Sequence, residues 1–532
     1  MSPATRENSY SFDTFVQWRN QIDYYGDDPF IQQVVKHFAG KNWQRVDEAA
    51  RRVSTKASFR WRDLADEAAR PENRPYVLHY DGHNHRIDRI VRAMESRVME
   101  EEVFGEAIFS EFTPAMERLV KIYLIYQNGE ACTACPLTCT EGLVAILEAF
   151  ADTPETRRIL AHCKEGVDGD FAIGAQFLTE IQGGSDVPAN VLEAEEQDGQ
   201  WRLYGTKFFC SVTHADYAVV TAKPAGSENV GVFVVPSWLP GDKDRERRNG
   251  ITVDRLKWKM GTSELPTAEM TFNGALAHPV GSLDRGLAAV VGIVLTCSRL
   301  TVGLCGAAMM TRAAREAKAY SGFREAFGRP IERFPMVADQ IAELEKHARR
   351  STAAAFKIYQ HYCALDGHIK VGIDMREPED LRRRRFEMRE LVMLQKITAS
   401  WDAVDQLRTA MSIFGGHGVI EDFSSLPRLY RDAAVNELWE GPHNVLLSQI
   451  HRDLVRVKSW YPPAAFVRRL LGGAGEEVAA PLASEMEALV DYTDLTDSRR
   501  ADVMDICRQW DSFCHRLFHA YQDQARAEVE DF

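Results

Sequence analysis

Apolar residues recur at three- and four-residue steps through most of the chain before residue 168, as in Ile87-Ile90-Met94-Val98 and Leu119-Ile122-Tyr126. Residues at that spacing share one helix face, so the pattern predicts helices. A turn rich in Gly, Asn and Asp, Tyr80-Asp81-Gly82-His83-Asn84-His85, interrupts it, and its two histidines read as an exposed loop rather than ligands. Near Phe171 the period shortens. The run 191–204 is split by Asp198-Gly199, a hairpin signal, and 217–222, 230–235 and 270–272 are short β-branched or aromatic runs. From about 286 the helical period returns in long segments at 299–320, 337–365 and 386–414, which predict a bundle. The tail, entered through Pro462-Pro463 and Gly472-Gly473, reads as a small appended helical unit. The predicted parts are therefore helical over 1–168, β over 169–285, a helix bundle over 286–460 and a helical tail over 461–532.

Charge and cysteines remove several function classes. A formal net charge of −14 argues against a general phosphate-binding surface, and the tail carries seven Lys/Arg against fourteen Asp/Glu, a poor grip for DNA. Four consecutive arginines at 382–385 are surrounded by Glu377, Glu379, Asp380 and Glu387 and read as a solvated helix face. Residues 1–10 hold no hydrophobic signal core, and the longest apolar run, 286–298, is too short to span a bilayer. The expectation is a cytoplasmic protein with no membrane partner. Ten scattered cysteines suit reduced thiols. Cys132, Cys135 and Cys139, at i, i+3 and i+7, predict a buried helix face rather than a metal site.

Four stretches carry candidate chemistry. In Leu178-Thr179-Glu180-Ile181-Gln182-Gly183-Gly184-Ser185, hydroxyl residues flank glycines that let backbone approach a flat polar ring or a phosphate. Phe208-Phe209-Cys210-Ser211 ends an aromatic pair in a hydroxyl, suited to stacking on a flavin and bonding it. Arg324-Glu325-Ala326-Phe327-Gly328 is a tight turn led by an arginine able to clamp a pyrophosphate. The fourth stretch is Phe414-Gly415-Gly416-His417-Gly418, then Leu429-Tyr430-Arg431-Asp432, then Trp439-Glu440-Gly441-Pro442-His443-Asn444. His417 reads as structural. Glu440 sits at a helix mouth beside a bare glycine, where a ligand carbonyl can meet main-chain N–H groups while the carboxylate reaches the neighbouring carbon. Such a carboxylate suits removal of a proton next to a carbonyl.

In this order and spacing the four stretches resemble the acyl-CoA dehydrogenase family of flavoproteins, over about 168–456. The resemblance implies an α+β, acyl-CoA dehydrogenase-like fold: an N-terminal α-helical domain, a middle β-domain, a C-terminal four-helix-bundle domain and, here, an extra helical C-terminal tail. It implies FAD held by Leu178, Thr179, Ser185, Phe209, Ser211, Gly415, Gly416 and Asn444, with Arg324 and Phe327 reaching the adenosine diphosphate part from a neighbouring subunit. It implies acyl-CoA contacts from Ser185, Arg299, Gly441 and Arg452, and Glu440 as catalytic base. The expected partners are an acyl-CoA substrate, an electron-transfer flavoprotein and further copies of the chain in a homotetramer, with a place in fatty acid metabolism.

Departures narrow the resemblance. Phe209 stands where the family has tryptophan, Pro335 and Ser412 replace glutamines, and Pro442 replaces a threonine facing the flavin. With the Leu-Pro-Arg-Leu-Tyr-Arg stretch and the tail, these features look like the AidB branch. The expected reaction is α,β-dehydrogenation of an acyl-CoA thioester, the proton leaving to Glu440 and the hydride to flavin N5. The alternative is an AidB-like flavoprotein of alkylation or stress response, with weak dehydrogenase activity and nucleic-acid association, against which the acidic tail argues.

Overall fold

The computed structural model describes residues 10–532. Helices Asp13–Gln21, Pro29–Ala39, Trp43–Thr55, Trp61–Ala68, Met94–Phe104, Ala115–Tyr126, Ala134–Phe150 and Pro154–Glu165 build the amino-terminal part. The side chain of Asp28 accepts from the N–H groups of Phe30 and Ile31 and caps the second of these, satisfying donors that a helix start leaves open. One prediction fails here. Ile87 and Ile90 lie on a strand, Arg86–Val91, paired with Tyr76–Tyr80. Asp88 at φ 42 breaks the regular alternation, and such an irregularity lets apolar residues three apart serve a strand as they would a helix. The turn between the strands is closed by Asp81, whose carboxylate accepts from the N–H groups of His83 and His85.

The middle of the chain forms a seven-stranded sheet. Tyr217–Pro224 pairs with Gly174–Phe177 and Glu193–Gln197 in parallel and with Gly231–Pro236 antiparallel. The order continues through Gln200–Ser211 and Thr267–Pro279 back to Gly231–Pro236, so the strands close on themselves, with Ile251–Leu256 added at Thr267–Pro279. The predicted hairpin at Asp198-Gly199 is present, both residues at positive φ, 52 and 75. That is the backbone twist a two-residue hairpin requires.

The predicted bundle is built on Leu295–Phe323, Pro335–Cys363 and Glu379–Phe414, with Leu426–Asn436 and His443–Val457 beside them. Gly303 and Gly306 set the spacing of the first and third. A Cβ at Gly303 would lie 2.0 Å from Gln395 Nε2, and one at Gly306 2.7 Å from the backbone carbonyl of Ala399, so a side chain at Gly306 would force the two helices apart. The segment Leu283–Phe323 is long and apolar enough to cross a membrane, its most apolar 18-residue window having mean hydropathy 2.0, but 78% of that window is buried inside the protein. It is the central core helix.

Helices Pro463–Leu470, Glu476–Val490 and Ala501–Glu530 complete the chain. The tail is not a satellite: Trp510, Phe513, Leu517 and Phe518 belong to the same buried core as the bundle and the amino-terminal helices. Gln522 bonds Ser351, Lys357 pairs with Glu528, and Gln33 donates to the Val529 carbonyl. The arginine run is partly solvated, Arg383 and Arg384 pairing one turn back with Glu379 and Asp380. Arg385 departs from that reading, since it is buried and donates to the carbonyls of Asp366 and Ile369 to hold the loop before its helix.

Candidate functional site

After helix Leu426–Asn436 the chain turns through Glu437, Leu438 and Trp439 and reaches Glu440 at φ 61, followed by Gly441 at φ 99. Two consecutive left-handed residues reverse the backbone, and a glutamate in that region carries strain that the surroundings must hold. Three hydrogen bonds from two side chains hold it. Arg299 Nε donates to the Glu440 carbonyl at 2.9 Å, and Lys396 Nζ donates to the carbonyls of Glu437 at 2.9 Å and Gly441 at 2.7 Å. A Cβ on Gly441 would meet Leu446 Cδ2 at 2.9 Å. Pro442 then caps His443–Val457, its carbonyl accepting from Val445 and Leu446.

The side chain of Glu440 is left for chemistry. Its Oε2 is buried without a hydrogen-bond partner, and so is Trp439 Nε1 beside it. Burial raises the Glu440 carboxyl to about 7, while Arg299 and Lys396 pull the other way. The same burial lowers Lys396 to about 7 and Arg299 to about 10. A carboxylate so placed is a stronger base than one in water and still titrates near neutrality.

The strand Gly174–Phe177, which leads into Thr179, meets the bundle helix through Gln176, whose amide lies 3.3 Å from Ser298 Oγ, one residue before Arg299. The Thr179 carbonyl accepts from Phe208 N at 2.9 Å, which sets the first two predicted stretches side by side. Gly184 folds over Thr179 so closely that a Cβ would lie 2.4 Å from its Oγ1. Leu178 is partly buried and its carbonyl accepts from Asn190 and Lys207; Ser185 is exposed. Phe209 is 48% exposed at the strand end, with Lys257 Nζ 4.6 Å from its ring centre. Ser211 Oγ lies 3.0 Å from Thr267 Oγ1. An exposed aromatic face with hydroxyls on neighbouring strands is chemistry suited to a flat polar ring.

Arg324, Phe327, Gly415 and Gly416 gather elsewhere. Arg299 lies in the second turn of the helix Leu295–Phe323 and Arg324 follows it, so about 37 Å of helix separates them. At that far end Arg324 donates to Tyr10, Phe327 is 96% exposed at φ 53, and Tyr320 bonds His417 beside the open backbone of Gly415 and Gly416. His417 packs among Phe12, Tyr320 and Phe423, a structural position. One chain thus places the predicted site residues in two separate groups. Asn444 and Arg452 are exposed on His443–Val457.

Sequence reasoning missed what holds the turn at Glu440 together. Lys396, with Gln395, interrupts an otherwise apolar run through 391–397, and a lysine inside a buried helix face is the signal that was there. Asp432 accepts from Thr262 N at 2.7 Å and Glu130 N at 3.2 Å, fastening sheet and amino-terminal part to the bundle. Glu264 accepts from Ala131 N at the same junction. Cys132 lies before the helix at φ 55, not on its face, while Cys135 and Cys139 do share a face with sulfurs 3.7 Å apart.

Family models match in three blocks: the AidB N-terminal domain at 16–162, the acyl-CoA dehydrogenase middle domain at 175–275 and the acyl-CoA dehydrogenase C-terminal domain at 284–455. The chain belongs to the acyl-CoA dehydrogenase family. Within it, the amino-terminal match sets it beside AidB. It is 26% identical over 468 residues to the putative acyl-CoA dehydrogenase AidB of Escherichia coli, covering 83% of this chain and 80% of that one. It is 25% identical over 450 residues to acyl-CoA dehydrogenase family member 11 of Caenorhabditis elegans, covering 80% of this chain and 70% of the relative. Among solved structures, apo Bd2924 superposes with TM-score 0.83 at 24% identity, covering 96% of this chain and 99% of that one. Caenorhabditis elegans ACDH-11 in complex with C11-CoA superposes with TM-score 0.79 at 22% identity, covering 97% and 92%.

Proposed function

We propose that the protein is an FAD-dependent acyl-CoA dehydrogenase that removes the α-proton of an acyl-CoA thioester with Glu440. The observation that carries this reading is the buried, unpartnered Oε2 of Glu440 on a left-handed turn pinned by Arg299 and Lys396. FAD fits the residues present: Trp439 Nε1 lacks an acceptor, Phe209 offers an exposed face, and Gly415 and Gly416 leave open backbone. When bound, FAD supplies a hydride acceptor for the substrate β-carbon.

The chain's own residues do the rest. Gly441 keeps the backbone bare so the thioester carbonyl can approach the main-chain N–H of Glu440, where a hydrogen bond stabilises developing enolate charge. Glu440 takes the α-proton, and its raised pKa matches the carboxylate to that task near neutral pH. Arg299 and Lys396 fix the loop through its carbonyls, so carboxylate and N–H are preset before substrate arrives. The separation of the two groups supports a homo-oligomer in which Arg324 and Phe327 of one subunit serve the adenosine diphosphate end of another's FAD. An electron-transfer flavoprotein is the proposed electron acceptor.

A second reading rests on the amino-terminal match to AidB: a stress-response flavoprotein with weak dehydrogenase activity. Anaerobic titration of the FAD-loaded protein with saturated acyl-CoAs of graded chain length separates the two. Bleaching of the flavin by one chain class, lost in Glu440→Gln with FAD retained, is the expected result. A flavin that stays oxidised with every thioester transfers support to the second reading.

A further inference from the structure

Three groups of histidine, cysteine and carboxylate donors occur among the described residues, each with its donor atoms within 4.8 Å of one another. They differ in what faces them. In Glu100, Cys132 and His214, Arg92 pairs with both Glu100 oxygens and reaches Cys132 Sγ at 3.6 Å. In His347, Asp402 and His519, Arg350 Nη2 lies 3.0 and 3.1 Å from the ring nitrogens of His347 and 3.7 Å from Asp402. A guanidinium already neutralises each of these, and a second cation would be repelled.

The third group, His443, Asp511 and His515, has no such neighbour: Asp511 pairs with no lysine or arginine among the described residues. Asp511 and His515 are one turn apart on Ala501–Glu530 and share a face. His443 opens His443–Val457, three residues after Glu440. Its Nε2 lies 2.8 Å from Asp511 Oδ1, and His515 Nε2 lies 3.6 Å from the same oxygen. The two imidazoles stack at 5.2 Å with 19° between planes, and Trp401 walls the group at 5.2 Å from His443. Tetrahedral zinc with bonds of about 2.0–2.1 Å holds neighbouring donors about 3.4 Å apart, a value that the two observed spacings straddle. The Asp511 side chain is 47% exposed, which leaves a fourth position open to water.

We propose that His443, Asp511 and His515 bind a divalent transition-metal cation, zinc being the best chemical match, that staples the carboxy-terminal helix to the loop carrying Glu440. Two imidazoles and one carboxylate are a donor set that zinc accepts with water as fourth ligand. The staple ties a tail helix to the segment three residues from the base, so metal occupancy stiffens the turn that presents Glu440. It does not depend on the identity of the acyl substrate.

The test uses tag-free, FAD-loaded protein stripped with a chelator and dialysed against zinc chloride, with zinc counted per chain and thermal melts recorded. One zinc per chain and a raised Tm are expected for the unaltered protein. Asp511→Asn and His515→Gln should each lower zinc affinity at least tenfold and abolish the Tm shift, whereas His519→Gln should keep both. Zinc at background level, zinc retained by both Asp511→Asn and His515→Gln, or loss only in His519→Gln would overturn the proposal. Far-UV circular dichroism identifies a variant that fails to fold, in which case the other of the pair decides.

Discussion

Arg299 donates a 2.9 Å hydrogen bond from Nε to the main-chain carbonyl of Glu440, so the residue that lies beside the candidate base also holds its strained backbone in place. Removing it leaves that carbonyl without its donor and a left-handed glutamate free to relax. Arg299→Ala should therefore reduce kcat/KM by about 10- to 100-fold, the equivalent of about 1–3 kcal/mol for a lost buried partner. Steady-state kinetics check this, and an unchanged kcat/KM would free Arg299 from that role.

Glu440 should report itself in the pH profile. Its carboxyl is raised to about 7 by burial, and only the deprotonated form accepts a proton. The rate of flavin reduction should therefore rise with pH and level off above an apparent pKa of about 7. The sign for stability is opposite. The folded chain keeps a proton that the unfolded chain releases above the ordinary value of 4.5, so this group's contribution to stability falls as pH rises from there to about 7. Glu440→Gln should remove both the rising limb and this slope, measured by stopped-flow reduction and by denaturant titration.

Lys396 lowers the Glu440 carboxyl through its charge and pins the loop through two carbonyls. Lys396→Met removes the cation, so the rising limb should move to higher pH. A limb that stays in place would mean that Lys396 is neutral across the range measured.

Arg324 sits at the end of the bundle remote from Glu440. Arg324→Ala should weaken FAD retention by roughly tenfold, as expected for one exposed charge-assisted contact, and leave the flavin-reduction pKa unmoved. Flavin release on dilution gives the affinity, and an unaltered affinity would place the arginine outside the cofactor site.

Trp510 is buried in the tail, its Nε1 donating to the Leu447 carbonyl at 3.0 Å and its ring edge-on to His451 at 5.2 Å. Because the tail shares the bundle core, Trp510→Ala should cost about 3–5 kcal/mol. Chemical denaturation should show it in a single transition, whereas an early separate transition would mark the tail as an independent unit.

Local physics made much of this legible in the chain. The period change near Phe171, the left-handed hairpin at Asp198-Gly199 and the long bundle helices follow from side-chain direction and turn sterics, which neighbouring residues impose on one another. Glu440 next to Gly441 was legible for the same reason: a carboxylate at a helix mouth beside a bare glycine is a short-range arrangement. The sequence could not show that Ile87 and Ile90 belong to a strand, since a bulge and a helix turn give the same spacing. Nor could it show that the tail shares the bundle core, because Trp510 and Leu447 are 63 residues apart and only packing brings them together. Lys396 and Asp432 likewise acquire meaning only in three dimensions, where one meets the carbonyls of the Glu440 turn and the other fastens the sheet domain to the bundle. Burial that raises the Glu440 carboxyl is a property of the folded chain, and no stretch of sequence contains it.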